Sequence, residues 1–140
     1  MRFARLVLCV LTVVASGDAQ AARGDHKKSI EAAARRYFEV WNTHDVSALQ
    51  ELLAPQATLR DWDIEKTGAN EVARANGGIF AAVPGIKIEV LKIHVSPSTS
   101  SVACEILVKL NNEKNEILKV VDIISFDHEN KITAVRAYKG

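Results

Sequence analysis

The chain has 140 residues, of which 48% are hydrophobic and 25% charged, and its net charge is +1. This length suits one domain with a single modest core, and the composition is that of an ordinary globular protein. The near balance of basic and acidic residues gives no reason to expect a nucleic-acid partner, and we predict none.

The N-terminal segment has the three-part pattern of a secretory signal peptide. Arg2 and Arg5 precede an apolar stretch at residues 6–15, and the small-residue sequence AQA that ends at Ala21 follows as a cleavage site. The apolar stretch is shorter than the roughly 20 residues that span a bilayer. We therefore predict a signal peptide at residues 1–21 and a secreted or periplasmic protein without membrane contact after cleavage. A membrane anchor and a transit peptide are the alternatives.

The two cysteines are not expected to form a disulfide. Cleavage of the signal peptide removes Cys9 and leaves Cys104 without an intramolecular partner. Cys104 lies among Val102, Ile106 and Val108, which favours a buried thiol that packs as a small hydrophobic group.

Helices dominate the first half of the chain after a leader, predicted to be flexible, at residues 22–28. One domain, residues 29–140, follows. Asp45 is positioned to cap a short second helix that stops before Pro55, and a third helix is predicted from Asn70 to about Ala82. Apolar residues with the period of a long first helix are Ile30, Ala33, Ala34, Tyr37, Phe38 and Trp41.

The second half of the chain has the pattern of β-strands. A short strand at residues 57–60 is followed, after the third helix, by strands at 86–95, 102–110, 117–126 and 131–138. The alternation changes phase between Val90 and Leu91, which predicts a β-bulge. Helices followed by antiparallel strands predict an α+β fold, with three helices on one face of a curved, mainly antiparallel sheet.

Asp122 is an acidic residue inside an apolar strand. It shares one strand face with Val120 and Ile124, which would desolvate the carboxylate and raise its pKa. The opposite face of this strand is also apolar, so the pattern alone leaves the orientation open. An aspartate that bonds to the backbone or pairs with a lysine is the alternative to a pocket residue.

Asp61 and Asp63 flank Trp62 just after the first short strand. If the strand continued locally, both carboxylates would point the same way, and Trp62 would point the other way. The alternative for Asp61 is an exposed residue that caps a turn. Tyr37, on the buried face of the first helix, is by itself an ordinary core tyrosine with its hydroxyl satisfied at the rim.

Taken together, Tyr37, Asp61 and Asp122 resemble the ketosteroid isomerases of the nuclear-transport-factor-2-like (SnoaL-like) superfamily. The segment RYFEVWNTHDVSALQELLAPQATLRD is similar to the first two helices and short strand of that family, and KVVDIISFDHENKITAVRAYKG is similar to its final hairpin. The resemblance implies a cystatin-like cone formed by nearly the whole mature chain. It also implies a homodimer, because the convex face of the sheet is the usual dimer surface.

The resemblance further implies an isomerase- or cyclase-type enzyme without a cofactor. It makes Asp61 the general base, and it makes Tyr37 and a protonated Asp122 the oxyanion hole. The substrate would be a small apolar molecule, steroid-like or polyketide-like, and we expect no metal. A secreted non-catalytic carrier of a small hydrophobic ligand, or an interaction module, is the alternative on the same fold. The side chains expected to line the cone are Phe38, Trp41, Trp62, Phe80 and Ile106.

Overall fold

The computed structural model describes residues 7–140, with side chains from residue 17 onward. Within this part of the chain, three α-helices and six β-strands form one α+β unit, as the sequence predicts. A 3₁₀ turn, Pro97–Thr99, separates the third and fourth strands. The elements are α1 (Val7–Thr43), α2 (Val46–Glu51), β1 (Leu53–Arg60), β2 (Glu65–Thr67), α3 (Ala69–Ala82), β3 (Lys87–Ser96), β4 (Ser101–Lys109), β5 (Ile117–Phe126) and β6 (Ile132–Lys139).

The strands form one sheet in the order β2-β1-β6-β5-β4-β3. All neighbouring strands are antiparallel except β1 and β6, which pair in parallel, so the prediction of a mainly antiparallel sheet is confirmed. The predicted β-bulge is also confirmed, because the register of β3 against β4 shifts between Val90 and Lys92. The sequence analysis missed β2, and it placed the start of β1 four residues too late.

The helices cover one face of this sheet. Helix α1 packs against β3 and β4. At the start of α2, the Asp45 side chain accepts a hydrogen bond from the backbone N–H of Ala48 at 3.1 Å, as expected of a helix cap. The side chains of α1 that are buried against the sheet and the other helices are Ile30, Ala34, Tyr37, Phe38, Val40 and Trp41.

Helix α1 begins well before the start that its periodicity predicts. Residues 22–28, for which a flexible leader is predicted, are helical, and most of their side chains are exposed. The Nε2 atom of His26 lies 2.9 Å from the Ser100 hydroxyl, which ties this part of α1 to the end of the 3₁₀ turn. The helical period of apolar residues begins only at Ile30, so a pattern of burial does not reveal these largely exposed turns.

The predicted signal peptide lies only partly in the described region. Residues 1–6, with Arg2 and Arg5, are outside the described residues, and residues 7–21 form the first turns of α1. No helix of the described region is both long enough and apolar enough to cross a membrane. Cleavage near Ala21 and secretion stay predictions.

Candidate active site

A cavity of about 410 Å³ lies between α1, α3 and the sheet. Its wall is mostly aliphatic, with contributions from every strand of the sheet except β2. Three acidic side chains, Asp61, Asp63 and Asp122, reach this wall together with the phenol of Tyr37 and the amide of Asn76. Volume and wall chemistry are those of a small-molecule pocket, in which a few polar groups orient an otherwise apolar ligand.

Asp122 points into the cavity from the middle of β5. Side chains alternate along a strand, so Asp122 shares the inner face with Val120 and Ile124, and all three are buried. Only 5% of the Asp122 surface is exposed. Burial first, and the negative charge of Asp61 second, raise the pKa of the Asp122 carboxyl from 3.8 to about 7. A large fraction of this carboxyl is therefore neutral near pH 7.

Tyr37 contributes its hydroxyl to the same cavity from α1. Burial raises the pKa of the Tyr37 phenol far above its ordinary value, and the nearby Asp122 and Cys104 raise it further. The phenol is therefore protonated at any physiological pH and is available as a hydrogen-bond donor.

The polar atoms of Tyr37 and Asp122 are open to the cavity. In the part of the chain that the structure describes, neither side chain makes a hydrogen bond, and no fully buried side-chain polar atom there lacks a partner. The Tyr37 hydroxyl and the Asp122 carboxyl therefore reach the cavity surface, where both are available to a ligand.

Cys104 lies beside this pair but does not line the cavity. It faces Asp122 across the β4–β5 pairing and is fully buried, as its sequence neighbours predict. Burial, and then the charge of Asp122, raise the pKa of the Cys104 thiol to about 12. A neutral, buried thiol is neither a nucleophile nor a metal ligand in this state.

Asp61 lies in a tight loop and not in a continued strand. Its Oδ1 atom accepts hydrogen bonds from the backbone N–H groups of Asp63 at 2.7 Å and Ile64 at 2.6 Å, and its own N–H donates to the Ile64 carbonyl. This is the turn-capping geometry that the sequence analysis kept as an alternative. Asp61 is nevertheless half-buried, lines the cavity and acts on the pKa of Asp122, so it caps the turn and faces the site.

Because the chain turns after β1, Trp62 and Asp63 do not follow the side-chain alternation expected of a continued strand. Asp63 is exposed at the cavity rim. Trp62 is 43% exposed, lines the cavity mouth, and has the Lys139 ammonium 5.2 Å from its ring centroid. Both residues therefore lie at the entrance, where Trp62 can cover a bound ligand.

The other predicted wall residues fall into two groups. Trp41 and Ile106 line the cavity, as Trp62 does, whereas Phe38 and Phe80 do not. Phe38 packs in the core with its ring centroid 5.1 Å from that of Tyr37, and Phe80 packs against Trp41 and the imidazole of His44. The placement of Phe38 and Phe80 on the wall is therefore corrected: helical periodicity shows that a residue is buried, but not whether it faces another side chain or a cavity.

Asn76 is a wall residue that the sequence analysis missed. It belongs to the buried face of α3, with Val72, Ala73 and Phe80, and only 3% of its surface is exposed. The signal was present in the sequence, because a polar residue interrupts an otherwise apolar helical stripe. Gly77 and Gly78, which follow it, lower the helix propensity of the segment and so weaken this signal.

Comparison with known proteins assigns the family. The SnoaL-like domain family matches residues 34–135. This range includes every residue that lines the cavity except Ala137. The protein belongs to the SnoaL-like domain family. The superfamily inferred from Tyr37, Asp61 and Asp122 is therefore confirmed. No curated protein matches the sequence.

Solved structures of SnoaL-like and cystatin-like proteins share the fold at low sequence identity. A cystatin-fold protein of unknown function from Methylobium petroleophilum has a TM-score of 0.72 at 18% identity, covering 81% of this chain and 77% of its own. A candidate polyketide cyclase from Sinorhizobium meliloti has a TM-score of 0.68 at 17% identity, and the match covers 76% of this chain and 94% of the cyclase chain. A candidate isomerase of the SnoaL-like family from Agrobacterium tumefaciens has a TM-score of 0.67 at 15% identity, and the match covers 83% of this chain and 98% of the isomerase chain.

Proposed function

We propose that this SnoaL-like protein moves a proton next to the carbonyl group of a small apolar molecule, as an isomerase or a cyclase. Asp61 is the general base, and Tyr37 and protonated Asp122 are the oxyanion hole. The observation that supports the proposal best is the placement of all three side chains on the wall of one largely apolar cavity. The structural similarity to a candidate polyketide cyclase and a candidate isomerase supports the same class of reaction.

The proton transfer needs no co-reactant. The Asp61 carboxylate takes the proton from the carbon beside the carbonyl, the C–H electron pair forms a carbon–carbon double bond, and the carbonyl electron pair moves to oxygen. Return of the proton to another carbon of the conjugated system regenerates Asp61 and completes an isomerisation. Since Oδ1 is held by the loop N–H groups, Oδ2 is the oxygen that takes the proton.

Tyr37 and Asp122 stabilise the oxygen that becomes negative in this step. Both are fixed in a water-poor wall before the charge develops, and one such donor contributes about 3 kcal/mol to the transition state. Only the protonated form of Asp122 can donate. We therefore expect the rate to fall as the pH rises above about 7, the pKa of this carboxyl.

A non-catalytic carrier is the second candidate, and the loop geometry of Asp61 favours it. An aspartate whose Oδ1 accepts two backbone N–H groups already has a structural role. In a carrier, the cavity would bind its ligand with Tyr37 and Asp122 as polar anchors, and no proton would leave a carbon atom.

Deuterium exchange distinguishes the two functions without knowledge of the natural substrate. Fused-ring ketones such as 2-decalone and larger homologues are incubated with the protein in D₂O, and NMR follows deuterium entry next to the carbonyl. The proposal predicts faster exchange with the wild type and at least a 100-fold slower rate with Asp61→Asn, since a general base contributes about 10²–10⁴. Asp63→Asn is the matched control and should retain the rate.

Two outcomes would contradict the catalytic proposal. Ketones that bind in the cavity but exchange no faster than in buffer would support the carrier. Exchange at the wild-type rate by Asp61→Asn would show that Asp61 is not the base, and Asp63 would be the next residue to substitute.

A further inference from the structure

The cavity wall contains a second buried polar group besides the Tyr37–Asp122 pair, the side-chain amide of Asn76. Asn76 and Asp122 are the two buried polar or charged residues of the described region. Asp122 has a role in the proposed proton transfer, whereas Asn76 has none. An amide in an apolar wall costs free energy unless its donors and acceptors are used, so its hydrogen bonds need to be accounted for one by one.

The orientation of the Asn76 amide is fixed by Trp41. The indole Nε1–H, which can only donate, lies 2.9 Å from Asn76 Oδ1. The Nδ2 group therefore points the other way, where it donates one hydrogen to the Val72 carbonyl at 2.9 Å. An amide nitrogen carries two hydrogens, and within the described part of the chain the second one has no acceptor.

The position of Asn76 separates it from the oxyanion hole. Its partner Trp41 lies one helical turn after Tyr37 on the same face of α1, since residues four apart are neighbours on a helix. Asn76 itself lies on α3, and the neighbouring wall residues, Ile79 of α3 and Val83 directly after it, are apolar. Asn76 is therefore the polar residue of the α3 wall, whereas the proposed oxyanion hole is built from α1 and β5.

We propose that Asn76 donates this second N–H to an oxygen atom of the ligand. The inference rests on the proposed function and deepens it: the substrate is a fused-ring compound with two oxygen functions, one held by Tyr37 and Asp122 and the other by Asn76. An apolar compound with a single carbonyl would leave the amide hydrogen without an acceptor and would bind less tightly. The competing explanation is that Asn76 serves only as the acceptor for Trp41.

The test compares phenolic probes that differ by one hydroxyl group. 2-Naphthol is the reference, and 2,6-, 2,7- and 1,6-dihydroxynaphthalene place a second hydroxyl at different points of the wall. Dissociation constants are measured by probe fluorescence in the wild type. We expect at least one diol to bind about two- to tenfold more tightly than 2-naphthol, the gain expected of one neutral hydrogen bond.

Two variants separate ligand binding from the structural role of Asn76. Trp41→Phe removes the donor that needs Asn76, and Trp41→Phe with Asn76→Leu then removes the amide without leaving an unsatisfied indole N–H. The diol preference should persist in the first variant and disappear in the second. Asn70→Leu, the same change at an exposed position of α3, is the matched control and should retain the preference. If the leucine double variant does not fold, Asn76→Ala in the same background gives the comparison.

The outcomes distinguish this inference from the proposed function. An equal diol preference in Trp41→Phe and in the double variant, or no diol preference in the wild type, would overturn the role of Asn76 alone. Unchanged 2-naphthol affinity in Tyr37→Phe would count against the oxyanion hole and not against Asn76. Failure of every probe to bind would overturn both.

Discussion

Among the acidic side chains of the described region, Asp122 is the one whose pKa the fold shifts most. Its carboxyl pKa rises from 3.8 to about 7, mainly because the inner face of β5 removes it from water. A polar residue inside an apolar strand was visible in the sequence. The direction in which it points was not, because both faces of that strand are rich in aliphatic side chains.

The raised pKa of Asp122 predicts a pH-dependent stability. The folded protein holds a proton on this carboxyl that the unfolded chain releases above about pH 4. The free energy of unfolding therefore decreases as the pH rises from about 4 to 7, by on the order of 4 kcal/mol for this group. Asp122→Asn cannot ionise, so its stability relative to the wild type should increase over this range in urea titrations.

The control for this prediction is Asp63→Asn, which removes one negative charge at an exposed position near the same site. Its stability relative to the wild type should change little with pH. A constant stability difference between Asp122→Asn and the wild type from pH 4 to 8 would show that the Asp122 carboxyl is not held in its neutral form.

At the scale of the elements, periodicity predicts most of this fold. Helix α3 and the long strands follow from a helical or alternating pattern of apolar residues, and the β3 bulge follows from a change of phase. Strand β2 was missed because its three residues, Glu65–Thr67, are polar and exposed and contain no alternation. It exists because β1 offers it a free edge, which a local pattern cannot reveal.

The polar residues of the candidate site could be predicted because the family pattern gives their order and spacing along the chain. The wall residues outside that pattern could not. Tyr37, Asp61 and Asp122 meet at one cavity because two helices, a short strand and the final hairpin bring them there. Phe80 and Asn76 were misjudged for a common reason. A helical period identifies the buried face of α3, but the position of the cavity along that face depends on the side chains of the opposing sheet.

The loop after β1 predicts different effects for two substitutions of Asp61. Asp61→Ala leaves the N–H groups of Asp63 and Ile64 without their acceptor, which should lower the free energy of unfolding by about 1–3 kcal/mol. Asp61→Asn keeps a carbonyl oxygen in place and should cost less than about 1 kcal/mol. Chemical denaturation measures both values.

A second turn of the same kind provides the control. Asp127 Oδ1 accepts the N–H groups of Glu129 and Lys131, both at 2.9 Å, in the turn between β5 and β6. Its alanine and asparagine variants should reproduce the stability pattern of the Asp61 variants. Equal stability of Asp61→Ala and Asp61→Asn would mean that the loop does not depend on the cap, and the asparagine variant would lose its value as a structure-preserving test of the base.

At the scale of the whole molecule, the outer face of the sheet is the surface through which the expected homodimer would form. Large apolar side chains are exposed there on three of the strands. Val121 of β5 lies directly opposite Tyr138 of β6, and Leu91 lies on β3, which β4 separates from β5. Such a patch on a small domain is typical of an interaction surface. The homodimer itself stays a prediction that rests on resemblance to the superfamily.

Sedimentation velocity tests the dimer. The wild type should sediment as a dimer at micromolar concentration, and Val121→Glu, which places a charge in the centre of the patch, should shift it toward the monomer. Lys114→Glu reverses a charge at an exposed position of the turn between β4 and β5, outside the outer face of the sheet, and serves as the control. A wild-type monomer at micromolar concentration would refute this prediction.

The central claim is that Asp61 and Asp122 face each other across one water-poor cavity, and the titration of Asp122 tests it most directly. Carboxyl ¹³C NMR should give the Asp122 side chain a pKa of about 7 in the wild type. In Asp61→Asn that pKa should fall, because the negative charge that helps to raise it is gone, whereas Asp127→Asn should leave it unchanged. An Asp122 carboxyl that titrates near 3.8, or one that does not respond to Asp61→Asn, would contradict the account.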